Sequence, residues 1–116
     1  MSDVELLSAR ALVLADLGAR GFADAEGVSL LENALSERRW WVEQWPDGLA
    51  FVAGLVATDV QDALLDRGSR WPTCTTCPSV EEHALRVDPE IGGPDPHWVC
   101  ENSGQAIAPL GRLTAA

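Results

Sequence analysis

The sequence has no lysine and no tyrosine, and its eight basic residues, all arginine, stand against 18 aspartates and glutamates. The formal net charge at pH 7 is −10, and such an excess of negative charge repels phosphate backbones and anionic lipids. The one basic and aromatic cluster, Arg38-Arg39 beside Trp40-Trp41, has too few cations for a nucleic-acid footprint. We therefore expect no nucleic-acid or membrane partner. The expected partner is another protein, and a basic surface on it would suit this chain.

Long apolar runs and a disulfide framework are missing as well. No stretch approaches the roughly 20 uncharged apolar residues of a membrane span. Asp3, Glu5 and Arg10 interrupt the first apolar segment, which is unlike a secretory signal peptide. Three cysteines cannot all pair within one chain. We expect a cytoplasmic protein, and in a reducing compartment a close cysteine pair more often indicates a metal or redox site than a disulfide.

The length and composition predict one domain with two parts of different character. A chain of 116 residues with 47% hydrophobic residues can bury one modest core. Residues 1–68 are mostly helical in pattern, whereas residues 69–116 hold all three cysteines and both histidines. We predict an α+β fold in which N-terminal helices pack on a small C-terminal antiparallel β unit that resembles a zinc ribbon.

Two helices are predicted before residue 38. Ser2 and Glu5 have the spacing of a capping box, and apolar residues follow at helical spacing, namely Val4, Leu7, Ala11, Leu14 and Leu17. Gly18 and Gly21 should end this helix. A second helix should begin at Asp24 or Ser29.

Residues 38–45 are ambiguous, because tryptophan and valine favour a strand while Trp41 and Trp45 have the spacing of a continued helix. We predict a strand here, with the helix as the alternative. Asp47 should then cap a third helix over residues 48–66. Its apolar stripe consists of Val52, Val56, Val60, Ala63 and Leu64.

Three short strands are predicted in the C-terminal part, over about residues 84–88, 96–100 and 105–109. The Gly92-Gly93-Pro94 stretch should turn the chain between the first two. A segment this small, with few large aliphatic residues, usually needs a staple beyond hydrophobic burial. A bound metal would supply one, because its binding energy is also folding energy.

The cysteines predict where that metal binds. Cys74 and Cys77 have the Cys-x-x-Cys spacing that points both sulfur atoms to one side of a turn, about 2.3 Å from a shared zinc. Cys100 follows the apolar pair Trp98-Val99, where a zinc ribbon places its second pair of ligands. The residue that should complete that pair, at position 103, is serine, so a histidine must be the fourth ligand.

His83 and His97 are the two candidates for the fourth ligand. If residues 97–100 are extended, His97 and Cys100 point to opposite faces of the strand. The alternation therefore favours His83 and keeps His97 as the alternative. A site of three thiolates and one imidazole is closed, which is typical of a structural Zn²⁺ rather than a catalytic one.

Two other functions remain open from the sequence. A short helix opening at Pro78 would place its N-terminus directly after Cys77, and a helix N-terminus favours a thiolate, which would suit a thiol redox or metal-transfer protein. The five tryptophans, at positions 40, 41, 45, 71 and 98, are expected to be core and interface anchors. They would otherwise line a pocket of an enzyme or a small-molecule-binding protein. The sequence has no nucleotide-binding or hydrolase motif, so an enzyme is the less favoured reading.

The spacing of these residues resembles a group of small uncharacterised actinobacterial proteins. The similar steps are Trp71-Pro72-x-Cys74-x-x-Cys77, His83-Ala84-Leu85, Trp98-Val99-Cys100 and Leu110-Gly111-Arg112-Leu113. The resemblance covers roughly residues 38–113 and implies a zinc-ribbon-like tail with His83 as the fourth ligand. It implies no activity. The chain departs from it at Glu101, where the pattern has proline. Residues and resemblance together predict a soluble zinc-stabilised module that binds another protein.

Overall fold

Three α-helices precede a three-stranded antiparallel sheet in the computed structural model, which describes residues 3–77, 81–89 and 95–115. The helices are α1 (Asp3–Ala19), α2 (Ala25–Gln44) and α3 (Val52–Asp66), and a 3-10 helix (Pro46–Phe51) leads into α3. The strands are β1 (Leu85–Asp88), β2 (His97–Cys100) and β3 (Ala106–Pro109). The predicted α+β class is therefore confirmed.

Helix α1 lies where it was predicted, but it buries a different face. Val4 and Leu7 are 68% and 63% exposed. The buried residues are Leu6, Ala9, Val13, Asp16 and Leu17. Because apolar residues occur all round this helix, its periodicity fits more than one face. The predicted stripe is therefore wrong at its first positions, and Ser2 of the predicted capping box lies outside the described residues.

Helix α2 is continuous through the segment that was predicted to be a strand. Asp24 caps it as predicted, and its carboxylate accepts a hydrogen bond from the Gly27 backbone N–H at 2.8 Å. The prediction of a strand over residues 38–45 is wrong. Helical spacing brings Arg38 and Trp41 onto one face. Arg38 pairs with Asp59 on α3 and Val42 is buried, and these tertiary interactions outweigh the local strand preference.

Helix α3 buries four of the five residues of the stripe expected from the sequence, and the fifth, Ala63, is half-buried. Val52, Val56, Val60 and Leu64 are at most 2% exposed. Asp47 is not its cap, because the chain forms the 3-10 helix first and no side-chain cap is present at either start.

The segment Pro46–Asp66 is, among the described residues, the one helical stretch long and apolar enough to cross a membrane by length and composition. Its buried face packs against α1 and α2, and it carries Asp59, Asp62 and Asp66. The buried face and these acids are consistent with a helix of a soluble protein.

The strands form a sheet of order β1-β2-β3. Leu85 pairs with Cys100, and Asp88 pairs with His97, across the antiparallel pair of β1 and β2. The predicted strand positions are confirmed to within a residue at each end. The predicted Gly92-Gly93-Pro94 turn lies outside the described residues.

Two of the five tryptophans fill the seam between helices and sheet. Trp71 and Trp98 are fully buried, and their ring centroids lie 5.3 Å apart in an edge arrangement. Trp40 and Trp45, by contrast, are 63% and 45% exposed. The prediction that all five tryptophans are anchors of the core or seam is therefore wrong for these two.

A buried carboxylate on α1 fastens the sheet and the last residues to the helices. Asp16 is fully buried and accepts hydrogen bonds from the Trp98 indole N–H at 2.8 Å and the backbone N–H groups of Gly111 and Leu113 at 2.7 and 3.0 Å. Residue 111 must be glycine, because its φ is +89° and a Cβ there would come within 3.3 Å of Leu12 Cα. Asp16 is therefore the shared acceptor of three donors, of which the Trp98 indole and the Leu113 N–H are buried and the Gly111 N–H is half-buried.

Replacing Asp16 with alanine should lower the free energy of unfolding by about 3 kcal/mol or more, because two buried N–H groups and a half-buried one lose their acceptor. Urea unfolding followed by tryptophan fluorescence measures the change. The exposed Asp66→Asn is the control and should shift stability by less than about 0.5 kcal/mol. Equal unfolding midpoints for Asp16→Ala and the control would contradict this role.

Candidate metal centre

Backbone pairing brings the Cys74–Cys77 turn against the start of β1. Thr73 forms a bridge with Ala84, and the Cys74 N–H donates to the His83 carbonyl at 2.9 Å. His83 directly precedes this bridge, so its side chain leaves the backbone beside the turn. Cys100 pairs with Leu85 from the next strand. The backbone pairing thus brings three separate segments next to one another: the Cys74–Cys77 turn, the segment with His83 and the end of β2 with Cys100.

Four potential ligands converge there. One donor atom from each of Cys74, Cys77, His83 and Cys100 lies within 4.8 Å of every other. Metal distances of about 2.3 Å to sulfur and about 2.0 Å to nitrogen separate neighbouring ligands by about 3.5 Å in a tetrahedral site. The Cys100 Sγ and His83 Nε2 atoms are 3.5 Å apart. The cluster is close to the size of a tetrahedral site and could hold a metal ion.

His83 is oriented by its other ring nitrogen. Its Nδ1 atom lies 3.0 Å from the Glu81 carbonyl oxygen, which favours an N–H at Nδ1 and leaves Nε2 directed at the sulfur atoms. Metal-binding histidines are commonly held in this way by a carbonyl or a carboxylate.

The turn after Cys100 supplies a hydrogen-bond donor to the sulfur. The Ser103 backbone N–H donates to Cys100 Sγ at 3.4 Å. The turn itself is closed by the Gly104 N–H, which donates to the Cys100 carbonyl at 2.8 Å. Position 103, where a ribbon would carry its fourth cysteine, therefore contributes a backbone donor. Glu101 occupies the position at which the similar pattern described above has proline, and the turn still closes.

Hydrogen bonds also set the charges of the cluster. The Glu81 carbonyl, followed by the Cys100 sulfur, raises the pKa of His83 to about 9. The Ser103 donors, followed by His83, lower the pKa of Cys100 to about 5. Burial raises the pKa of Cys74, but the N–H groups of Thr76 and Cys77 outweigh it, so the pKa lies below its usual value. Without metal, an imidazolium at His83 therefore faces a thiolate at Cys100 at neutral pH.

His97 lies apart from this group, although its local geometry is similar. Its Nδ1 atom is 2.7 Å from the Asp95 carbonyl oxygen, the same two-residue relation that His83 has to Glu81. It begins β2, three residues before Cys100, in a cleft lined by Leu12 and Leu110. The structure thus places His83 beside the three cysteines and does not place the alternative ligand, His97, there.

Sequence reasoning identified the residues that meet here, but it missed the groups that orient them. The N–H of Ser103 and the carbonyl of Glu81 belong to the main chain. Their roles therefore cannot be recognised from the residue types in the sequence. The helix considered after Cys77 for a redox protein begins at Pro78, outside the described residues.

Comparison with known proteins gives a family and no activity. A family model described as a domain of unknown function (DUF8819) matches residues 2–110. No curated protein matches the chain, and no solved structure does so either.

Metal binding by the cluster should strengthen as the pH rises. The metal must displace a proton that His83 keeps up to about pH 9, so lowering the pH below that value favours the proton. Each proton displaced changes the affinity by about tenfold per pH unit. Calorimetric titration with Zn²⁺ at several pH values measures this slope. An affinity that does not change with pH would contradict the protonation assigned to His83.

Proposed function

The chain belongs to the DUF8819 family, whose description assigns no activity, and we propose that it is a zinc-stabilised module that binds another protein. The observation that carries the zinc is the convergence of three thiols and one imidazole within 4.8 Å. Zinc is the ion that such a set of soft and borderline ligands favours in a tetrahedral site.

The role proposed for this zinc is structural. Three cysteines and one histidine fill all four positions, whereas a catalytic zinc keeps one position for water or substrate. Cys100 is fully buried, and Cys74, Cys77 and His83 are half-buried, so the complete set of four ligands, more than burial, would keep a substrate from the ion. The backbone N–H of Ser103 on Cys100 stabilises a thiolate that stays bound.

The C-terminal part needs such an ion to hold its shape. Its three strands have four residues each, and short sheets are marginal without a further constraint. One ion bound to residues 74, 77, 83 and 100 would tie the turn before β1 to the end of β2. Its binding energy would then add to the stability of the whole sheet.

Binding to another protein is proposed from the surface. The net charge of −10 disfavours nucleic acid and anionic lipid. Two tryptophans are exposed, and tryptophan is enriched among the residues that contribute most to protein interfaces.

The two histidines provide a matched test of the metal site. His83→Asn should lose the zinc, whereas His97→Asn, at a residue with the same local hydrogen bond, should retain one zinc per chain. Native mass spectrometry of protein purified from cells measures the zinc content. His83→Asn should also melt at a lower temperature than the zinc-loaded wild type.

Retention of zinc by His83→Asn, or its loss from His97→Asn, would contradict the proposed ligand set. A folded wild-type protein without zinc that resists chelators would contradict the structural role.

Metal transfer is the second candidate, since Cys74 and Cys77 are not fully buried. A weak chelator should then remove zinc rapidly while the protein stays folded. A structural zinc should leave only as the sheet unfolds, so the rates of zinc loss and of unfolding should agree.

A further inference from the structure

A groove on the helical part carries exposed aromatic and acidic residues and shares no residue with the metal cluster. It lies between α2 and α3 and has a volume of about 460 Å³. Its lining residues are Glu37, Arg38, Trp40, Trp41 and Asp59. The groove contains nothing that the zinc site needs, so it can serve a separate purpose.

One side of the groove already holds a guanidinium. Arg38 makes two hydrogen bonds to the Asp59 carboxylate, at 2.7 and 2.9 Å. Its Cζ atom lies 5.1 Å from the centroid of the Trp41 ring, within the range of a cation–π contact. The protein's own arginine thus shows how this surface accommodates a planar cation, by a carboxylate at its edge and an indole at its face.

The packing around residue 48 fixes this side in place. Trp41 packs edge-on against Trp45 with centroids 5.2 Å apart, and Trp45 contacts Phe51. Gly48 is buried, and a Cβ there would come within 2.6 Å of the Trp41 ring. The groove is therefore pre-organised, which lowers the entropy cost of binding.

The other side offers a similar pair of groups. Trp40 is 63% exposed, and the exposed Glu37 lies in the same groove. Along α3, Asp62 and Asp66 follow Asp59. Partial burial, followed by the charges of Asp59 and Asp66, raises the pKa of Asp62. Among the residues that line the groove, Glu37 and Asp59 together carry one negative charge more than Arg38 neutralises.

We propose that this groove binds an arginine-containing segment of a basic partner protein, with a guanidinium on the Trp40 ring beside the Glu37 carboxylate. The inference rests on the proposed function as a protein-binding module and adds the surface and the chemistry of the partner. A second copy of the chain is a poor occupant, because two molecules of net charge −10 repel each other. Arginine suits the groove better than lysine, since its planar guanidinium both stacks and pairs.

Nuclear magnetic resonance tests the proposal on the zinc-loaded full chain. The probe is an arginine-rich peptide, compared with the same peptide in which citrulline replaces every arginine, so that shape is kept and charge removed. The five tryptophans give separate indole N–H signals. We expect the arginine peptide to shift the signals of Trp40 and Trp41 and to leave those of the buried Trp71 and Trp98 in place.

Trp40→Ala and Glu37→Gln should each weaken peptide binding, Trp40→Ala by about tenfold. The controls are Leu65→Ala, at a residue 54% exposed outside the groove, and the exposed Glu5→Gln on α1. Both controls should bind as the wild type does. Equal weakening in Glu5→Gln and Glu37→Gln would indicate attraction to the net charge alone and would overturn the proposal.

Binding of the citrulline peptide as tightly as the arginine peptide would also overturn it. So would a dimer that Trp40→Ala dissociates, because the occupant would then be a second copy. The zinc content of every variant is measured in parallel. If the wild type retains zinc but does not bind the peptide, only the proposal for the groove is refuted. If the wild type contains no zinc, the proposed structural zinc site is refuted.

Discussion

Two turns that are far apart in the sequence must be held against each other, and the remaining C-terminal structure depends on that constraint. One turn carries Cys74 and Cys77, and the other follows Cys100. Hydrogen bonds of the sheet bring them together, but the strands are four residues long. Donor atoms within 4.8 Å of one another are the arrangement that a single ion would hold, and we propose that a zinc ion does so.

The helices are joined to this unit by polar contacts as much as by apolar packing. Asp16 gathers three N–H donors from β2 and the last residues. Arg20 donates to the Thr73 carbonyl just before Cys74, and the Gln61 amide donates to the carbonyls of Trp71 and Leu85. Because the Arg20 and Gln61 contacts fix main-chain segments within three residues of Cys74 or His83, the helical part supports the candidate metal centre. The exposed groove between α2 and α3 shares no residue with the Cys74, Cys77, His83 and Cys100 cluster.

The sequence predicted best where one pattern admitted one structure. The strands, the stripe of α3 and the cysteine and histidine residues that meet were all identified before the fold, because alternation, helical spacing and Cys-x-x-Cys spacing each restrict the geometry. The buried face of α1 was predicted wrongly because apolar residues occur all round the helix. Asp16 lies on the buried face, but it is an acidic residue, which a search for apolar periodicity does not select. Residues 38–45 were assigned by strand preference, yet the pairing of Arg38 with Asp59 on α3 is a tertiary contact that no local pattern contains. The exposure of Trp40 could not be predicted for the same reason.

The most direct measurement of the central claim is X-ray absorption at the zinc edge of protein purified from its own cells. The account predicts one zinc per chain with three sulfur neighbours at about 2.3 Å and one nitrogen at about 2.0 Å. A zinc surrounded by oxygen atoms, or sulfur atoms that bind no metal in the folded protein, would contradict it.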